Sequence, residues 1–338
     1  MGKNPTAMKR NFIHAALAAI VLAVCCPPAT ANPTEKQSMQ TAQTPVFKNA
    51  QDYIEFFRKG GKYYDKQLPG LMVGKQPTPQ AMKALGEALL TDNDDVRDKI
   101  IYLLRDIDRL NPPVHELHTQ EVVALMVGPG FAKIDSARSK AMDLLRQYAS
   151  TATLSRYGDV FLKALKEKPS GTALMLIAKA KPKGAWEEVD RLYQLPERKD
   201  EKAMRIARAA LGDTKIEDEY IADAQRKEDA GDVSGLGASF YPLVEIGTQR
   251  SLQAVCRRMR SPLIQNSPGI EQRSVRLIAM HALIYAFPEE SKMLDPNNVM
   301  KDDDYIRVEQ FCEKATGVRY DGMPRPPFFT TFGYPQER

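Results

Sequence analysis

The sequence predicts an all-α fold, and three of its features support this prediction. Apolar residues recur at spacings of three and four along most of the chain, as on one face of an amphipathic helix. Clusters of Pro, Gly and Asn interrupt these segments, as expected for short connections between helices. No segment combines sustained alternation of apolar and polar residues with β-branched side chains, which is the pattern typical of a strand.

Each helical segment follows from this periodicity and from the residues that stop it. Gly60 and Gly61 end the first segment, and Pro112 and Pro113 follow the third, because neither residue type continues a helix well. The segment from Gly231 to Gly237 is predicted to be a loop. The predicted helices cover residues 50–59, 79–90, 94–110, 119–127, 135–148, 153–166, 170–179, 185–195, 201–211, 215–227, 240–246, 249–259, 270–286 and 305–315.

Several of these helices open with the same residue types in the same order. Residues 94–97 read Asp-Asp-Val-Arg and residues 135–138 read Asp-Ser-Ala-Arg, and each is followed by a small or apolar residue and then by two leucines. Residues 272–276 are similar and residues 202–205 match more loosely. The acidic residue complements the helix dipole, and the arginine can reach that acid or the preceding loop.

This pattern resembles HEAT repeats and covers most of residues 78–287. Arg97 and Arg138 lie 41 residues apart, within the spacing of such repeats. The resemblance implies helical hairpins stacked into a curved α-solenoid with a concave binding face. Segments near Ser170 and Lys215 match poorly, so a non-repeating helical bundle is the alternative.

The first 31 residues have the features of a signal peptide. Lys3, Lys9 and Arg10 precede an apolar stretch at 12–26, and Ala29-Thr30-Ala31 offers a cleavage site. The stretch is shorter than the roughly 20 residues that span a bilayer, so we expect export to the periplasm and no membrane span in the mature chain. Lipid attachment at Cys25 is the less favoured alternative, because bulky Val24 precedes it.

The mature chain divides into three predicted parts. Residues 32–46 are polar and predict a flexible linker, because they cannot bury enough apolar surface to order themselves. Residues 47–322 form the helical repeat domain. Residues 323–338 are rich in proline and aromatic residues and predict a strap that caps the last repeat.

Charge and cysteine content limit the function classes. The net charge of +5 falls to +2 once the three leader cations are removed, which gives no support for a nucleic-acid partner. Cys256 and Cys312 are the two cysteines outside the leader, and in an oxidising compartment they are candidates for one disulfide. Two buried free thiols are the alternative.

No local motif predicts catalysis, a metal site or a cofactor. In His115-Glu116-Leu117-His118 the histidines are three residues apart, whereas the zinc-protease motif places them four apart on a helix. The segment is therefore interpreted as a polar loop. His281 lies in an apolar helix and is predicted to be a core histidine with its hydrogen bonds satisfied. We expect a protein without enzymatic activity and without a cofactor.

Two features are candidates for contacts with a partner. Arg257, Arg258 and Arg260 form a basic cluster, for which the alternative is a solvated helix end. The strap contains four aromatic residues of the kind that anchor interfaces, and its alternative role is to cap the domain. These aromatic residues are Phe328, Phe329, Phe332 and Tyr334.

These observations predict a protein that works by binding another protein. The leader, linker and single helical domain resemble the architecture of periplasmic helical-repeat proteins that act as immunity partners of envelope-targeting toxins. That resemblance implies a secreted hydrolase toxin as the partner and occlusion of its active site as the mechanism. The alternatives are an envelope scaffold or adaptor and, less favoured, a helical enzyme acting on the cell wall. The oligomeric state is left open.

Overall fold

A computed structural model describes residues 46–62, 68–73, 76–109, 120–198, 201–265, 273–287 and 302–324. Among these residues the fold is mostly helical, which confirms the predicted all-α class. The chain from Val46 onward forms one compact unit. The predicted leader, the linker before Val46, the segment 115–118 and the strap beyond Pro324 lie outside the described residues.

Fifteen α-helices lie in the described parts of the chain. The first eight are α1 (Ala50–Arg58), α2 (Pro79–Thr91), α3 (Asp94–Arg109), α4 (Gln120–Val127), α5 (Ser136–Tyr148), α6 (Thr151–Ser155), α7 (Gly158–Glu167) and α8 (Gly171–Ala180). The others are α9 (Ala185–Tyr193), α10 (Lys202–Ala210), α11 (Thr214–Asp229), α12 (Val233–Ile246), α13 (Gln249–Cys256), α14 (Val275–Ala286) and α15 (Asp302–Thr316). Two 3₁₀ turns, Pro129–Phe131 and Arg257–Arg260, extend this pattern.

Two short antiparallel strand pairs accompany the helices, although the sequence predicted none. Strand β1 (Met72–Val73) pairs with β2 (Gln76–Pro77), and β3 (Ile264–Gln265) pairs with β4 (Arg273–Ser274). Each strand has two residues, which is too short for a period of two to show in the sequence. The pairs close connections between helices, and β4 occupies part of the segment predicted as the start of a helix at residue 270.

Side-chain caps fix where many helices begin. The side chains of Thr78, Asp135 and Ser170 each accept a hydrogen bond from the backbone N–H three residues later. Thr248 and Ser251 form a reciprocal capping box at α13. Such caps satisfy amide donors that the first turn leaves free, so they explain why the predicted starts of these four helices are close to the observed ones.

Helix α12 starts earlier than predicted. Asp232 accepts a hydrogen bond from the Gly235 amide at 2.9 Å, and the helix runs from Val233 through the segment predicted to be a loop. The glycines there serve packing, because a Cβ on Gly237 would lie 2.9 Å from Cγ2 of Ile278 on α14. Similarly, the helix predicted at 153–166 is broken at Arg156 and Tyr157 into α6 and α7.

Alternate helices pack in chain order. Helix α3 contacts α5, and α8, α10, α12 and α14 then follow, each against the one before. We call these six the inner helices. Helix α5 also contacts α14, and α8 contacts α12, so helices distant in sequence meet. Buried apolar residues form one cluster from Phe47 to Ile216 that also includes Ile246, and a second from Ala224 to Tyr320.

The arginines of the predicted repeat pattern connect neighbouring helices of the fold. Arg97 on α3 is fully buried, and its Nε donates to Asp135 Oδ2 at 2.7 Å while Nη2 donates to the Gly130 carbonyl. Asp135 also caps α5 through the amide of Arg138. Arg138 continues the chain of contacts to Glu167 on α7, with Nη1 2.7 Å from Oε2. The predicted partners of the arginine were the acid of its own helix or the preceding loop, whereas Arg97 reaches Asp135 and Gly130, which lie just before α5.

Candidate binding site on the inner helices

A groove of about 550 Å³ lies among helices α5, α8, α10, α12 and α14. This volume is within the range of small-ligand sites. Its polar and aromatic lining comes from helices far apart in sequence, so no local motif marks it. We call it the inner groove, and these lining residues are Asp143, Arg146, Thr172, Lys202, Tyr241, Glu245 and Tyr285.

An ion pair with a buried carboxylate lies in the lining of the inner groove. Arg146 Nη1 on α5 donates to Glu245 Oε1 on α12 at 2.9 Å, across 99 residues of sequence. The Glu245 side chain is only 8% exposed. Its second oxygen, Oε2, is buried and accepts no hydrogen bond from the described residues. An unsatisfied buried acceptor is rare in folded proteins, so this oxygen requires a functional or structural explanation.

Hydrogen bonds of neighbouring polar groups connect α8 to α5 beside this ion pair. The Thr172 hydroxyl donates to Asp143 Oδ1 at 3.0 Å, which joins α8 to α5. Lys179 is buried beneath, and its Nζ donates to the backbone carbonyl of Arg146 at 2.8 Å. Lys202 is exposed on α10 at the edge of the groove. The groove therefore contains carboxylates and cations in close proximity.

Two tyrosines form aromatic walls of the groove. Tyr241 on α12 is 45% exposed, whereas Tyr285 on α14 is half-buried. Burial raises the pKa of Tyr285, chiefly by desolvation, so its hydroxyl keeps its proton at neutral pH. A protonated hydroxyl can both donate and accept a hydrogen bond.

His281 lies one turn before Tyr285 on α14. It is half-buried, and its Nε2 is buried without a hydrogen bond to the described residues, so the prediction that its hydrogen bonds are satisfied is wrong. Burial lowers the pKa of this imidazole, because desolvation disfavours the charged form. The sequence could not reveal this, because the apolar pattern around His281 does not show which groups face the ring.

A second surface lies on the inner helices α3 and α5. Lys140 on α5 forms an ion pair with Asp98 on α3. The Tyr102 ring, on a residue 40% exposed, lies 5.3 Å from the Lys140 ammonium and 5.1 Å from the Arg105 guanidinium. We call Asp98, Tyr102, Arg105 and Lys140 the inner strip. Lys140 is one helical turn from Asp143, so the strip and the groove are adjacent on α5.

The predicted basic cluster is divided between different environments. Arg257 is exposed, but Arg258 is buried and forms an ion pair with Glu228 at 2.8 Å. Arg260 pairs with Glu309 at 2.7 Å and donates to the Met323 carbonyl. Two of the three guanidinium groups are thus paired with acids of other helices, and Arg257 is the exposed cation of the cluster. The predicted contact role of the three arginines stays a prediction.

The two candidate cysteines are joined. Cys256 at the end of α13 and Cys312 on α15 form a disulfide with a Cα–Cα distance of 5.5 Å. The Tyr320 hydroxyl donates to the Cys256 carbonyl at 2.7 Å beside it. Phe328, Phe329, Phe332 and Tyr334 lie outside the described residues, so their predicted contact role stays a prediction.

One polar cluster looks catalytic but has the wrong geometry. The Ser239 hydroxyl lies 2.8 Å from Lys227 Nζ and 3.2 Å from Asp223 Oδ2. Lys227 also pairs with Asp223 at 2.6 Å, and this contact lowers the pKa of the Asp223 carboxyl. Lys227 donates to the serine oxygen and does not accept from it, and Ser239 is buried, so the serine is not presented to a substrate. The cluster joins α11 to α12.

Comparisons with known proteins give no relative. No family model, curated protein or solved structure matches the chain. In the described part of the chain, no group of three or more His, Cys, Asp or Glu is placed to hold a metal ion. No helix there is long and apolar enough to cross a membrane.

Proposed function

We propose that this chain is a non-catalytic, protein-binding repeat protein of the periplasm. In this proposal it is an immunity protein that inhibits a secreted hydrolase toxin by covering the toxin's active site. The helical hairpins would act as a HEAT-like α-solenoid whose inner helices carry the contact surface. The inner strip is the observation that carries this proposal.

The inner strip has the composition of an interface centre. Tyrosine and arginine are the residue types enriched where a few side chains supply most of the binding energy. Tyr102 is exposed, yet Arg105 and Lys140 contact its ring, and Lys140 is itself tied to Asp98. A ring that is already positioned loses less conformational freedom when a partner covers it, which favours tight binding.

The proposal is tested by isolating the partner and measuring its activity. The tagged full chain is recovered from the envelope fraction of its own host, and co-purified hydrolases are identified. The proposal expects a hydrolase that binds in a one-to-one complex and loses its activity on binding. Degradation of cell-wall polymer by the purified chain alone would instead support an enzyme.

Replacing Tyr102 tests the inner strip directly. Tyr102→Ala is expected to weaken the complex about 10-fold or more, because loss of a central interface tyrosine typically costs more than 1 kcal/mol. Leu90→Ala is the matched control, because the Leu90 side chain on α2 is exposed, and it should leave affinity unchanged. Titration calorimetry with the isolated hydrolase measures both. Full inhibition by the Tyr102→Ala variant, with unchanged affinity, would remove the inner strip from the interface.

A further inference from the structure

The inner groove contains an acceptor that the described part of the fold leaves without a donor. Glu245 Oε1 pairs with Arg146, but Oε2 is buried and accepts no hydrogen bond there. Burying a carboxylate oxygen without a donor is unfavourable, and a ligand that donates to it removes that penalty. Asp143 adds a second carboxylate in the same lining, with only Oδ1 bonded to Thr172.

Neither a cation nor an anion suits this lining. An incoming cation would meet Arg146 and Lys202 in the groove and Lys179 buried beneath it. An anion would meet Asp143 and Glu245, and an ionised carboxylate has no proton to donate to Glu245 Oε2. The positive and negative groups of the lining match in number, so an uncharged ligand avoids both repulsions.

The remaining groups indicate what kind of uncharged ligand fits. Lys202 is a donor, and the hydroxyls of Tyr241 and Tyr285 both donate and accept. Sugar hydroxyls have the same dual capacity, and the apolar faces of sugar rings pack against aromatic rings. The groove has room for such a ligand at about 550 Å³. We propose that the inner groove is a binding site for a neutral saccharide whose hydroxyl donates to Glu245.

This site goes beyond the proposed inhibition of a protein partner. The saccharide would occupy residues of α8, α10, α12 and α14 together with Asp143 and Arg146, whereas the proposed protein contact centres on Tyr102 of α3. Together, the two sites would hold the chain on a glycan while it contacts an enzyme that attacks envelope polymers. Each site can be tested without the other.

Calorimetry with defined saccharides tests the proposal on the full chain. The probes are tetra-N-acetylchitotetraose and maltotetraose, with N-acetylarginine amide and an N-acetylated, C-amidated Gly-Asn-Gly peptide for comparison. We expect saturable binding of at least one saccharide with a Kd of about 1 mM or tighter. No saturation by either saccharide, or tighter binding of the arginine amide or the peptide, would overturn the proposal.

Two substitutions in the groove locate the bound saccharide. Glu245→Gln keeps an oxygen for Arg146 but replaces the free acceptor with a donor, so saccharide affinity should fall about 10-fold or more. Tyr241→Ala removes an exposed ring and should weaken binding several-fold with little effect on folding. Glu217→Gln, at a buried carboxylate outside the groove, is the matched control and should bind like the parent.

The variants also separate this site from nonspecific sugar binding. Circular dichroism and thermal unfolding verify that each variant is folded. If folded Glu245→Gln and Tyr241→Ala both bind saccharide with parental affinity, the groove is not the site and the proposal fails. Inhibition of the hydrolase partner, measured on the same variants, is expected to persist because Tyr102 is intact.

Discussion

Arg97 illustrates how a single side chain connects neighbouring hairpins. Its guanidinium is completely buried, and Asp135 forms an ion pair with it, with Arg97 Nε 2.7 Å from Asp135 Oδ2. The same aspartate caps α5, so one carboxylate serves both the start of a helix and the contact between hairpins. Removing one partner of such a pair is far more damaging than the net value of the pair, because a buried charge is left alone.

Asp135→Ala is expected to lower the free energy of unfolding by about 3–5 kcal/mol, since Arg97 would remain buried without its counter-charge. Chemical denaturation followed by circular dichroism measures this loss. Asp159→Ala is the control, because Asp159 is exposed in the first turn of α7. A loss at Asp135 no greater than that at Asp159 would show that the link contributes nothing specific.

His281 is expected to make the stability of the fold depend on pH. Burial lowers its pKa in the folded chain below 6.5, so the unfolded chain binds the proton more readily. The free energy of unfolding should therefore fall as pH drops below 6.5 and level off below the folded-state pKa. His281→Leu should remove this component. Unfolding of both proteins at about pH 7.5 and about pH 5.5 tests it, and a pH-independent difference between them would contradict it.

Helix boundaries show what a sequence pattern can reveal. Ser, Thr and Asp caps are local, and the starts of α2, α5 and α8 were therefore predicted to within about one residue. The start of α12 was missed because Gly235 and Gly237 suggested a loop, while the close approach of Ile278 that requires Gly237 comes from α14. Tertiary packing decided that boundary, and no neighbouring residue signals it.

The candidate site was the least predictable part of the chain for a related reason. Arg146 and Glu245 are 99 residues apart, and neither belongs to a motif. The cysteines, in contrast, were identifiable as a candidate pair because they are the two that follow the predicted leader. The basic cluster was conspicuous in the sequence, yet Glu228 and Glu309 hold two of its arginines from distant helices.

The disulfide connects elements that belong to one buried cluster. Cys256 closes α13 and Cys312 lies on α15, 56 residues later. Replacing both with alanine is expected to lower the free energy of unfolding by about 2–4 kcal/mol, because the unfolded chain regains the freedom of a long loop. Thermal unfolding with and without reductant tests this. Reductant should lower the midpoint of the parent and leave the double variant unchanged; equal responses would contradict the stabilising role.

At the scale of the whole molecule, the described residues contain two separate clusters of buried apolar side chains. Tyr220 on α11 packs against both, and Thr248 before α13 donates a hydrogen bond to Glu217 on the same helix. Helix α11 thus forms part of the boundary between them. The residues that line the inner groove come from both sides of this boundary. Helices α5, α8 and α10 lie on one side, and α12 and α14 lie on the other.

The contact between Arg146 and Glu245 also limits how this chain can vary in length. In an open array of hairpins, one unit can be lost or duplicated and its neighbours still meet. Here Arg146 on α5 contacts Glu245 on α12, so we expect deletion of the α9–α10 hairpin to separate Glu245 from Arg146. Insertions and deletions among related chains should therefore concentrate in connecting loops, while the number of hairpins between these two helices stays constant.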